Sequence, residues 1–234
     1  MKNIFITGCS SGIGLGLAKH YLAQGHRIFS VSRRKPEALV NEPNFRYAEL
    51  DLANDSQIAP TVQRLVNGET LDLAILNAGI LGEIRDMKDT PVADLQQVMN
   101  INVWANKTLL DALLANGTVS QVVGISSGAS VNGSRGWSGY SLSKAALNML
   151  VKLYAAENEN LLIHALAPGL VDSAMQDYIC GEVDSQRFPS AQRLRDARDT
   201  PAMPKPDEAG PMLAEAMEKL TEYPNGSFVD VRNM

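Results

Sequence analysis

Short apolar runs alternate with longer amphipathic segments along almost the whole chain, and this alternation constrains the fold more than any other feature. The runs that are typical of strands lie at 3–6, 27–31, 45–50, 71–76, 119–125, 161–165 and 227–231. Helical patterns lie between them at 13–24, 55–67, 92–115, 139–158 and 207–221. Such alternation favours right-handed crossovers and a parallel sheet. The sequence therefore predicts an α/β fold with a doubly wound, mostly parallel seven-stranded sheet and helices on both faces.

One segment, 174–206, departs from the alternation. It is rich in charged residues and contains four prolines, namely Pro189, Pro201, Pro204 and Pro206. A long irregular segment inside a compact domain is often a lid or a mobile functional loop. With 234 residues, of which 45% are hydrophobic, the chain is long enough for one sizeable domain. We predict a single domain over 1–234, with 174–206 as an irregular substrate loop or lid within it.

Composition argues against several classes of partner. The formal net charge is −5, so no basic excess indicates nucleic acid, and no charge run indicates a membrane-binding patch. Cys9, Cys180 and three histidines provide neither a disulfide framework nor the spacing of a metal site. The apolar N-terminal run is too short for a signal peptide or a membrane span. We expect a soluble cytoplasmic protein without a metal, nucleic-acid or membrane partner.

A glycine-rich turn follows the first predicted strand. Segment 7–14 reads Thr-Gly-Cys-Ser-Ser-Gly-Ile-Gly, which places Gly8, Gly12 and Gly14 where the strand passes into a helix. Glycines there permit a tight turn and let backbone N–H groups approach a pyrophosphate at the helix N-terminus. The spacing differs from the more common Gly-x-Gly-x-x-Gly, and a glycine cluster can also be a simple turn. Its position after an N-terminal strand favours dinucleotide binding.

The end of the second strand bears on which nicotinamide cofactor is bound. A carboxylate about 20 residues after the glycines would hold the ribose 2′-hydroxyl of NAD. This strand is followed instead by Arg33, Arg34 and Lys35. An arginine there can pair with a 2′-phosphate and stack on the adenine. An exposed basic turn is the alternative interpretation, but the missing acid favours NADP, with NAD as the weaker candidate.

Tyr140 and Lys144 lie four residues apart in a predicted helix and therefore on one face of it. A nearby ammonium favours the phenolate and lowers the pKa of a phenol, which is about 10 in a free tyrosine. A tyrosine tuned in this way can exchange a proton with a substrate near neutral pH. The pair alone is weak evidence, because a short motif of this kind also arises by chance.

Further motifs complete a pattern that runs from residue 7 to residue 173. Asn77-Ala78-Gly79 follows the fourth strand, Asn102 lies in a helix, Ser127 follows the fifth strand and Pro168-Gly169 follows the sixth. Together with the glycine turn and the tyrosine–lysine pair, they resemble the short-chain dehydrogenase/reductase family in its compact single-domain form. The resemblance implies a Rossmann-like fold and an oxidoreductase that interconverts a carbonyl and an alcohol with a nicotinamide cofactor.

The resemblance also implies catalytic roles. Tyr140 would donate the proton in carbonyl reduction and accept it in alcohol oxidation, while Lys144 would lower the pKa of Tyr140 and hold the nicotinamide ribose. Ser127 would hydrogen-bond the substrate oxygen, and Asn102 would order a water in a proton path from Lys144. Simpler roles stay open, with Ser127 capping a strand end, Asn102 bonding backbone within its helix and Asp51 serving as an N-cap or a turn acid.

The predicted cofactor site combines the glycine turn, the basic turn and the family's strand-end motifs. Asp51 would contact the adenine amino group, Asn77-Ala78-Gly79 the adenosine ribose, and residues 168–173 the nicotinamide amide. The full set is Gly8, Ser10, Ser11, Gly12, Ile13, Gly14, Arg33, Arg34, Asp51, Leu52, Asn77, Ala78, Gly79, Tyr140, Lys144, Pro168, Gly169, Val171 and Ser173.

The sequence constrains the substrate less than the cofactor. An apolar lid is expected from residues of 174–206, namely Met175, Tyr178, Ile179 and Phe188. The arginines of that segment either bind an acidic substrate or form solvated helix faces; they are Arg187, Arg193, Arg195 and Arg198. Trp137, three residues before Tyr140, is either a pocket wall or an ordinary buried aromatic residue.

Assembly as a homodimer is expected from the helices at 92–115 and 139–158. Leu142, Met149 and Leu153 lie on a different face from Leu147 and Val151, so the second helix is apolar over a wide arc. A helix of that kind is buried further than one that only covers a sheet. Many family members end in a Val-Asp-Gly-Gly segment that helps to build a tetramer, and the different C-terminal sequence here argues against that assembly.

The leading functional hypothesis is an NADPH-dependent carbonyl reductase that acts on a small or medium ketone or aldehyde. A non-catalytic NADP-binding protein that senses redox state through a partner is the alternative, although such a protein does not need Tyr140, Lys144 and Ser127 together. A lyase or epimerase with a transient keto intermediate is a third hypothesis. Relatives of that kind generally have a larger C-terminal substrate domain than this chain has room for.

Overall fold

A single parallel sheet forms the centre of the computed structural model, which describes residues 1–117 and 119–234. Its strand order is β3-β2-β1-β4-β5-β6-β7. The strands are β1 (Asn3–Thr7), β2 (Arg27–Ser32), β3 (Phe45–Glu49), β4 (Leu71–Leu76), β5 (Val119–Ile125), β6 (Leu162–Ala167) and β7 (Phe228–Asp230). The predicted strands are therefore confirmed, with ends that shift by at most two residues.

Helices cover both faces of the sheet, as predicted. They are α1 (Gly12–Ala23), α2 (Asp55–Val66), α3 (Val92–Met99), α4 (Ala105–Asn116), α5 (Ser138–Glu157), α6 (Ala174–Gly181), α7 (Pro189–Ala197) and α8 (Pro206–Lys219). Helices α1 and α8 enclose one apolar core, and α2, α4 and α5 enclose the other. The central strands are buried from both sides, which explains why they read as continuous apolar runs. The single-domain, Rossmann-like α/β fold is thus confirmed.

The helix predicted over 92–115 is wrong in one respect, because a π-helical turn at Asn100–Trp104 separates α3 from α4. Such a turn inserts an extra residue into the helical hydrogen-bond ladder. Here it turns Asn102 fully inward, where its side chain bonds both backbone groups of Ile80 at 2.8 Å.

The segment 174–206 is not irregular as predicted, because it contains α6 and α7 and ends at the start of α8. Two of its prolines occupy helix starts: Pro189 is the first residue of α7, and Pro206 is the first residue of α8. Proline is favoured at that position because the first N–H of a helix has no partner inside it. Prolines at these two positions are therefore compatible with helices in the segment.

The topology places a crevice at one edge of the sheet. Strand order reverses where β1 lies beside β4, and ligands of open parallel sheets bind at the carboxyl ends of the strands at such a point. The residues that follow the strands therefore converge there. Among the described residues, no helix is both long enough and apolar enough to span a membrane.

Candidate active site

A cavity of about 370 Å³ opens at the carboxyl ends of the strands. Every predicted site residue lines it except Gly14 and Asn102. The glycine turn, the basic turn and the Pro168-Gly169 turn thus meet the residues of α5 around one space. The sequence-predicted site is brought together almost completely.

The glycine turn has the shape that an anionic ligand requires. Gly8 and Gly12 have φ values of 81° and 58°, a region where side chains are strained. A Cβ built on Gly14 would overlap the carbonyl oxygen of Gly8 and lie 2.7 Å from Nδ2 of Asn77. Gly14 therefore supports the turn from behind and does not line the cavity.

The N-terminus of α1 faces the same turn and leaves backbone donors available. Among the described residues, Ser11 makes no side-chain cap bond there, and the first turn of α1 carries no acid. The unpaired N–H groups and the positive end of the helix dipole favour a negatively charged group such as a pyrophosphate. These residues fit a dinucleotide.

Thr7, whose role the sequence analysis did not assign, ties β1 to β4 beneath the cavity. Its buried hydroxyl accepts hydrogen bonds from the backbone N–H groups of Asn77 and Ala78, both at 2.9 Å. Nδ2 of Asn77 returns a bond to the Thr7 carbonyl at 2.9 Å. The signal in the sequence was a threonine directly after the apolar run Ile4-Phe5-Ile6.

The basic turn after β2 lines the part of the cavity that is predicted to hold the adenosine. Arg33 and Arg34 are exposed and line the cavity, and their side chains make no ion pair within residues 1–117 and 119–234. Asp51, which follows the neighbouring strand β3, accepts a bond from the Ala53 N–H at 3.0 Å. Asp51 therefore stabilises its own turn, which is one of the simpler roles considered for it, and it also lines the cavity.

The residues predicted to be catalytic meet at the other end. Lys144 is 4% exposed, and its Nζ donates to the carbonyl oxygen of Ile125 at 2.7 Å, at the end of β5. Ser127, two residues further along, accepts a bond from the Ala129 N–H at 3.1 Å and forms a hydrogen bond with Tyr140. Nζ of Lys144 lies 5.6 Å from the centre of the Tyr140 ring.

Burial changes the expected pKa of the tyrosine. Desolvation raises the pKa of Tyr140, and the hydrogen bond with Ser127 opposes that rise. Desolvation also lowers the pKa of Lys144 to about 8. The net shift of the Tyr140 pKa is thus upward and not downward, since burial penalises the charged forms of both groups, and the predicted effect of Lys144 on Tyr140 stays a prediction.

Asn102 lies behind the cavity. Its Nδ2 also donates to Oγ of Ser143 at 2.9 Å, so both amide hydrogens and the amide oxygen have protein partners. A Cβ on Gly79 would lie 3.0 Å from its Oδ1 and 3.6 Å from Nζ of Lys144. The side chain therefore joins the loop after β4 to α5 close to the lysine. The predicted role in ordering a water stays a prediction.

An apolar cluster surrounds Tyr140. It includes residues of the 174–206 segment, together with Trp137, whose ring centre lies 5.9 Å from that of Tyr140. The cluster members that also line the cavity are Trp137, Tyr140, Leu170, Met175 and Leu194. This end of the cavity is suited to an uncharged, apolar group next to a carbonyl.

The arginines of 174–206 do not line the cavity. Arg195 bonds the backbone carbonyls of Cys180 and Val183 at 2.6 and 2.7 Å. Arg198 pairs with Asp172, and Arg187 pairs with Asp86. These three arginines hold the segment in place, so an acidic substrate finds no support in them.

Sequence reasoning missed several lining residues. Ser32, Leu50 and Ser126 adjoin predicted site residues at strand ends, so extending each motif by one or two positions would have found them. No local signal marks Gln176 or Leu194, whose position depends on α6 and α7. The full missed set is Val31, Ser32, Leu50, Ile80, Ile101, Ile125, Ser126, Ala174, Gln176 and Leu194.

The family model for short chain dehydrogenases matches residues 2–182 of this chain. The chain belongs to the short-chain dehydrogenase family. It is accordingly an NAD(P)-dependent oxidoreductase that acts on alcohol or carbonyl groups.

Members of the family from bacteria and yeast match the chain over almost its whole length. It is 29% identical to a benzil reductase that forms (S)-benzoin from Bacillus subtilis, over 99% of both chains. It is 30% identical to a benzil reductase of the same product from Saccharomyces cerevisiae, over 97% of this chain and 95% of the relative. A crystal structure of a short-chain dehydrogenase/reductase from S. cerevisiae has the same fold, with a TM-score of 0.87 and 24% identity over 99% and 96% of the two chains.

Proposed function

We propose that this chain is an NADPH-dependent reductase of apolar ketones and diketones, with Tyr140 as the proton donor. The observation that carries the proposal is the meeting of Tyr140, Ser127 and Lys144 at one end of a cavity whose other end is the glycine turn. The relatives named as benzil reductases support the substrate class, because benzil is a diketone flanked by phenyl groups.

The cofactor, when bound, supplies the hydride that reduces the carbonyl carbon. The N–H groups at the start of α1 would hold its pyrophosphate, and Arg33 or Arg34 would hold a 2′-phosphate. Both arginines line the cavity without an ion pair among the described residues, which favours NADP over NAD. Lys144 would hold the nicotinamide ribose.

Ser127 and Tyr140 would stabilise the charge that develops on the carbonyl oxygen. The Ser127 Oγ already accepts a bond from Ala129, so its own proton can be donated to a substrate oxygen. Two preorganised donors aimed at one oxygen stabilise it more in the transition state than in the ground state. Tyr140 then transfers its proton to that oxygen, which completes the alcohol.

The pKa shifts suit reduction. Burial raises the pKa of Tyr140 and so keeps the phenol protonated, which is the form that donates. Lys144, with its pKa lowered to about 8, is still mostly protonated at neutral pH. Its ammonium would stabilise the phenolate that remains after proton transfer.

The proposal is tested with Tyr140→Phe. Turnover of benzil, followed as loss of NADPH absorbance, should fall about 10²–10⁴-fold because the proton donor is gone. NADPH binding, followed by fluorescence titration, should be retained. Tyr154→Phe is the matched control, since Tyr154 lies on the same helix but bonds Asp111 outside the cavity. Turnover by Tyr140→Phe at the wild-type rate would refute the mechanism.

We also propose a homodimer through α4 and α5. Leu142, Met149 and Leu153 recur at helical spacing on α5 and are each about half exposed, at 51%, 55% and 52%. Trp104, just before α4, is 54% exposed. An apolar face of this kind is typical of an interface. Leu153→Asp should shift elution of the protein from a dimer to a monomer; a wild-type monomer at micromolar concentration would contradict the proposal.

A further inference from the structure

Trp137 is held in a fixed orientation beside the proposed proton donor. It directly precedes α5, lines the cavity, and has its ring inclined at 59° to the ring of Tyr140. Its backbone is fixed by a bridge to Arg85, and the Arg85 N–H donates to the Gly136 carbonyl at 3.0 Å. The main chain of Trp137 is thus tied to the loop after β4.

The indole ring is fixed from the opposite side by the 174–206 segment. The Trp137 Nε1–H donates to Oγ of Ser190 at 2.7 Å, and Ser190 is buried in the first turn of α7. An indole has a single hydrogen-bond donor, so the bond to Ser190 fixes the direction in which the Nε1 edge of the ring points. One hydrogen bond therefore connects α7 to the Trp137 ring, which forms part of the cavity wall.

Near Trp137 and Tyr140, Lys144 is the charged side chain that lines the cavity, and the proposed mechanism assigns it to the cofactor and to Tyr140. Leu170, Met175 and Leu194 line the same part of the cavity and pack in the cluster that contains Tyr140. The cations Arg33 and Arg34 lie at the adenosine end, and the arginines of 174–206 lie outside the cavity. A flat apolar group next to the carbonyl would meet an aromatic face and aliphatic side chains.

We propose that Trp137 determines specificity for an aryl group next to the reacting carbonyl, and that Ser190 is the positioning residue that orients its ring. Aromatic rings gain from offset or edge-to-face contact beyond the area they bury, and the gain depends on the angle between the rings. Losing the Ser190 bond therefore weakens binding of an aryl substrate without removing the ring. The inference rests on the proposed reductase function and narrows its substrate class.

The test compares benzil with diacetyl, which has methyl groups in place of phenyl groups. In Trp137→Leu, kcat/KM for benzil relative to diacetyl should fall roughly tenfold, since the aromatic contact is lost. In Ser190→Ala the ratio should fall by about threefold, through KM for benzil. Ser190→Ala in the Trp137→Leu background should have no further effect on the ratio, because the bond it removes no longer exists.

Ser185→Ala is the matched control. Ser185 also lies in the 174–206 segment and accepts a bond, from Arg195 at 3.0 Å, but it does not line the cavity. Its substrate ratio should equal that of the wild type. Trp137→Phe, which keeps a ring but lacks the N–H donor, replaces Trp137→Leu if the latter does not fold, and its ratio should match that of Ser190→Ala.

The inference is overturned if Ser190→Ala leaves the ratio unchanged, if Ser185→Ala lowers it equally, or if the effects of the Trp137 and Ser190 changes add. Failure of the proposed function looks different. In that case the wild-type protein oxidises NADPH with neither diketone, or Tyr140→Phe stays active, and the specificity proposal falls with it.

Discussion

The glycine turn and the 174–206 segment both line the cavity, but different contacts hold them in place. In the glycine turn, backbone lies against backbone, so that a single carbon added at Gly14 would overlap the Gly8 carbonyl. In the 174–206 segment, side chains make the contacts, as when Arg195 bonds the carbonyls of Cys180 and Val183. The first region is therefore intolerant of small changes, whereas the second can be altered one bond at a time.

Of the changes that compare the two regions, Gly14→Ala should lower the free energy of unfolding the most. Neither the Gly8 carbonyl nor the Asn77 amide, at 2.7 Å from the new carbon, can move without disturbing the strand ends. Overpacking of this kind costs about 3 kcal/mol or more when backbone must shift. Urea unfolding should show that loss, and NADPH affinity should fall with it.

Gly181→Ala is the control in the other region. A Cβ on Gly181 has no neighbour within 4 Å among the described residues, and Gly181 lies at the end of α6 with no positive φ. Its stability should stay within about 1 kcal/mol of the wild type. If both variants lost stability equally, the contrast between the regions would be wrong.

Lys144, which is buried beside Tyr140, should make stability depend on pH. Its pKa in the folded protein is about 8, against 10.5 in an unperturbed lysine, so between these values the unfolded chain binds more protons. The contribution of Lys144 to stability should therefore rise with pH across this window, by about 2–3 kcal/mol, and should be constant below pH 8. The buried Cys9 thiol, whose pKa burial raises from 9.0 to about 12, acts in the opposite direction above pH 9.

Lys144→Met supplies the comparison, because it removes the titrating group from the same buried position. The difference in free energy of unfolding between the wild type and Lys144→Met should change by about 2–3 kcal/mol between pH 8 and about 10. The raised pKa of Tyr140 acts in the opposite direction only at higher pH, where the unfolded tyrosine ionises first. A constant difference would contradict the buried, desolvated lysine.

Arg33→Ala tests a contact at the cofactor end that a side chain makes. KM for NADPH should rise roughly tenfold, the size expected for a hydrogen bond to a charged group, while KM for NADH changes little. Lys35→Ala is the control, since Lys35 belongs to the same basic turn but does not line the cavity. Equal use of NADPH and NADH by the wild type and by Arg33→Ala would contradict the proposed preference.

Of these changes, Asp86→Asn should have the smallest effect on the structure, and that effect should be confined to the 174–206 segment. Asp86 accepts bonds from Arg135 at 2.6 and 2.8 Å and from Arg187 at 2.8 Å, which holds the pKa of its carboxyl well below the usual range. Both arginines also lie over the ring of Phe188. Weakening the ion pairs of Asp86 should loosen both arginines over Phe188. Amide hydrogen exchange around Phe188 should then become faster, while the free energy of global unfolding should stay unchanged.

Glu215→Gln is the control for Asp86→Asn. Glu215 pairs with Lys219 on the exposed face of α8, away from the cavity, so its loss should leave exchange around Phe188 as it is in the wild type. If Asp86→Asn lost as much global stability as Gly14→Ala, the contacts of the 174–206 segment could not be weakened without destabilising the whole protein, and the comparison would be wrong.

The parts of the fold that sequence patterns predict well are those governed by local chemistry. The strands follow from apolar runs, and the turn at Gly8 and Gly12 follows from a backbone conformation that other residues rarely adopt. The family motifs then located a site whose members, apart from Gly14 and Asn102, line one cavity.

What the sequence did not predict depends on contacts between distant segments. The π-helical turn at Asn100–Trp104 is fixed by bonds from Asn102 to Ile80, which no helical periodicity reveals. Helices α6 and α7 have only 8 and 9 residues, and helices of that length depend on tertiary packing for their stability. The shift in the Tyr140 pKa likewise results from burial, which spacing along a helix does not measure.

Both ends of the 174–206 segment rest on the same helix, one turn apart. A Cβ on Gly12 would lie 3.5 Å from Ser173, and a Cβ on Gly16 would overlap the Pro206 carbonyl. The segment is therefore an excursion that leaves and rejoins the framework at neighbouring points, and the entropy of closing such a loop grows only slowly with its length. Insertions, deletions or whole grafts between these two anchors can change which molecules the cavity admits while the cofactor end keeps its geometry, which makes this stretch the natural unit for exchange between relatives and for engineering.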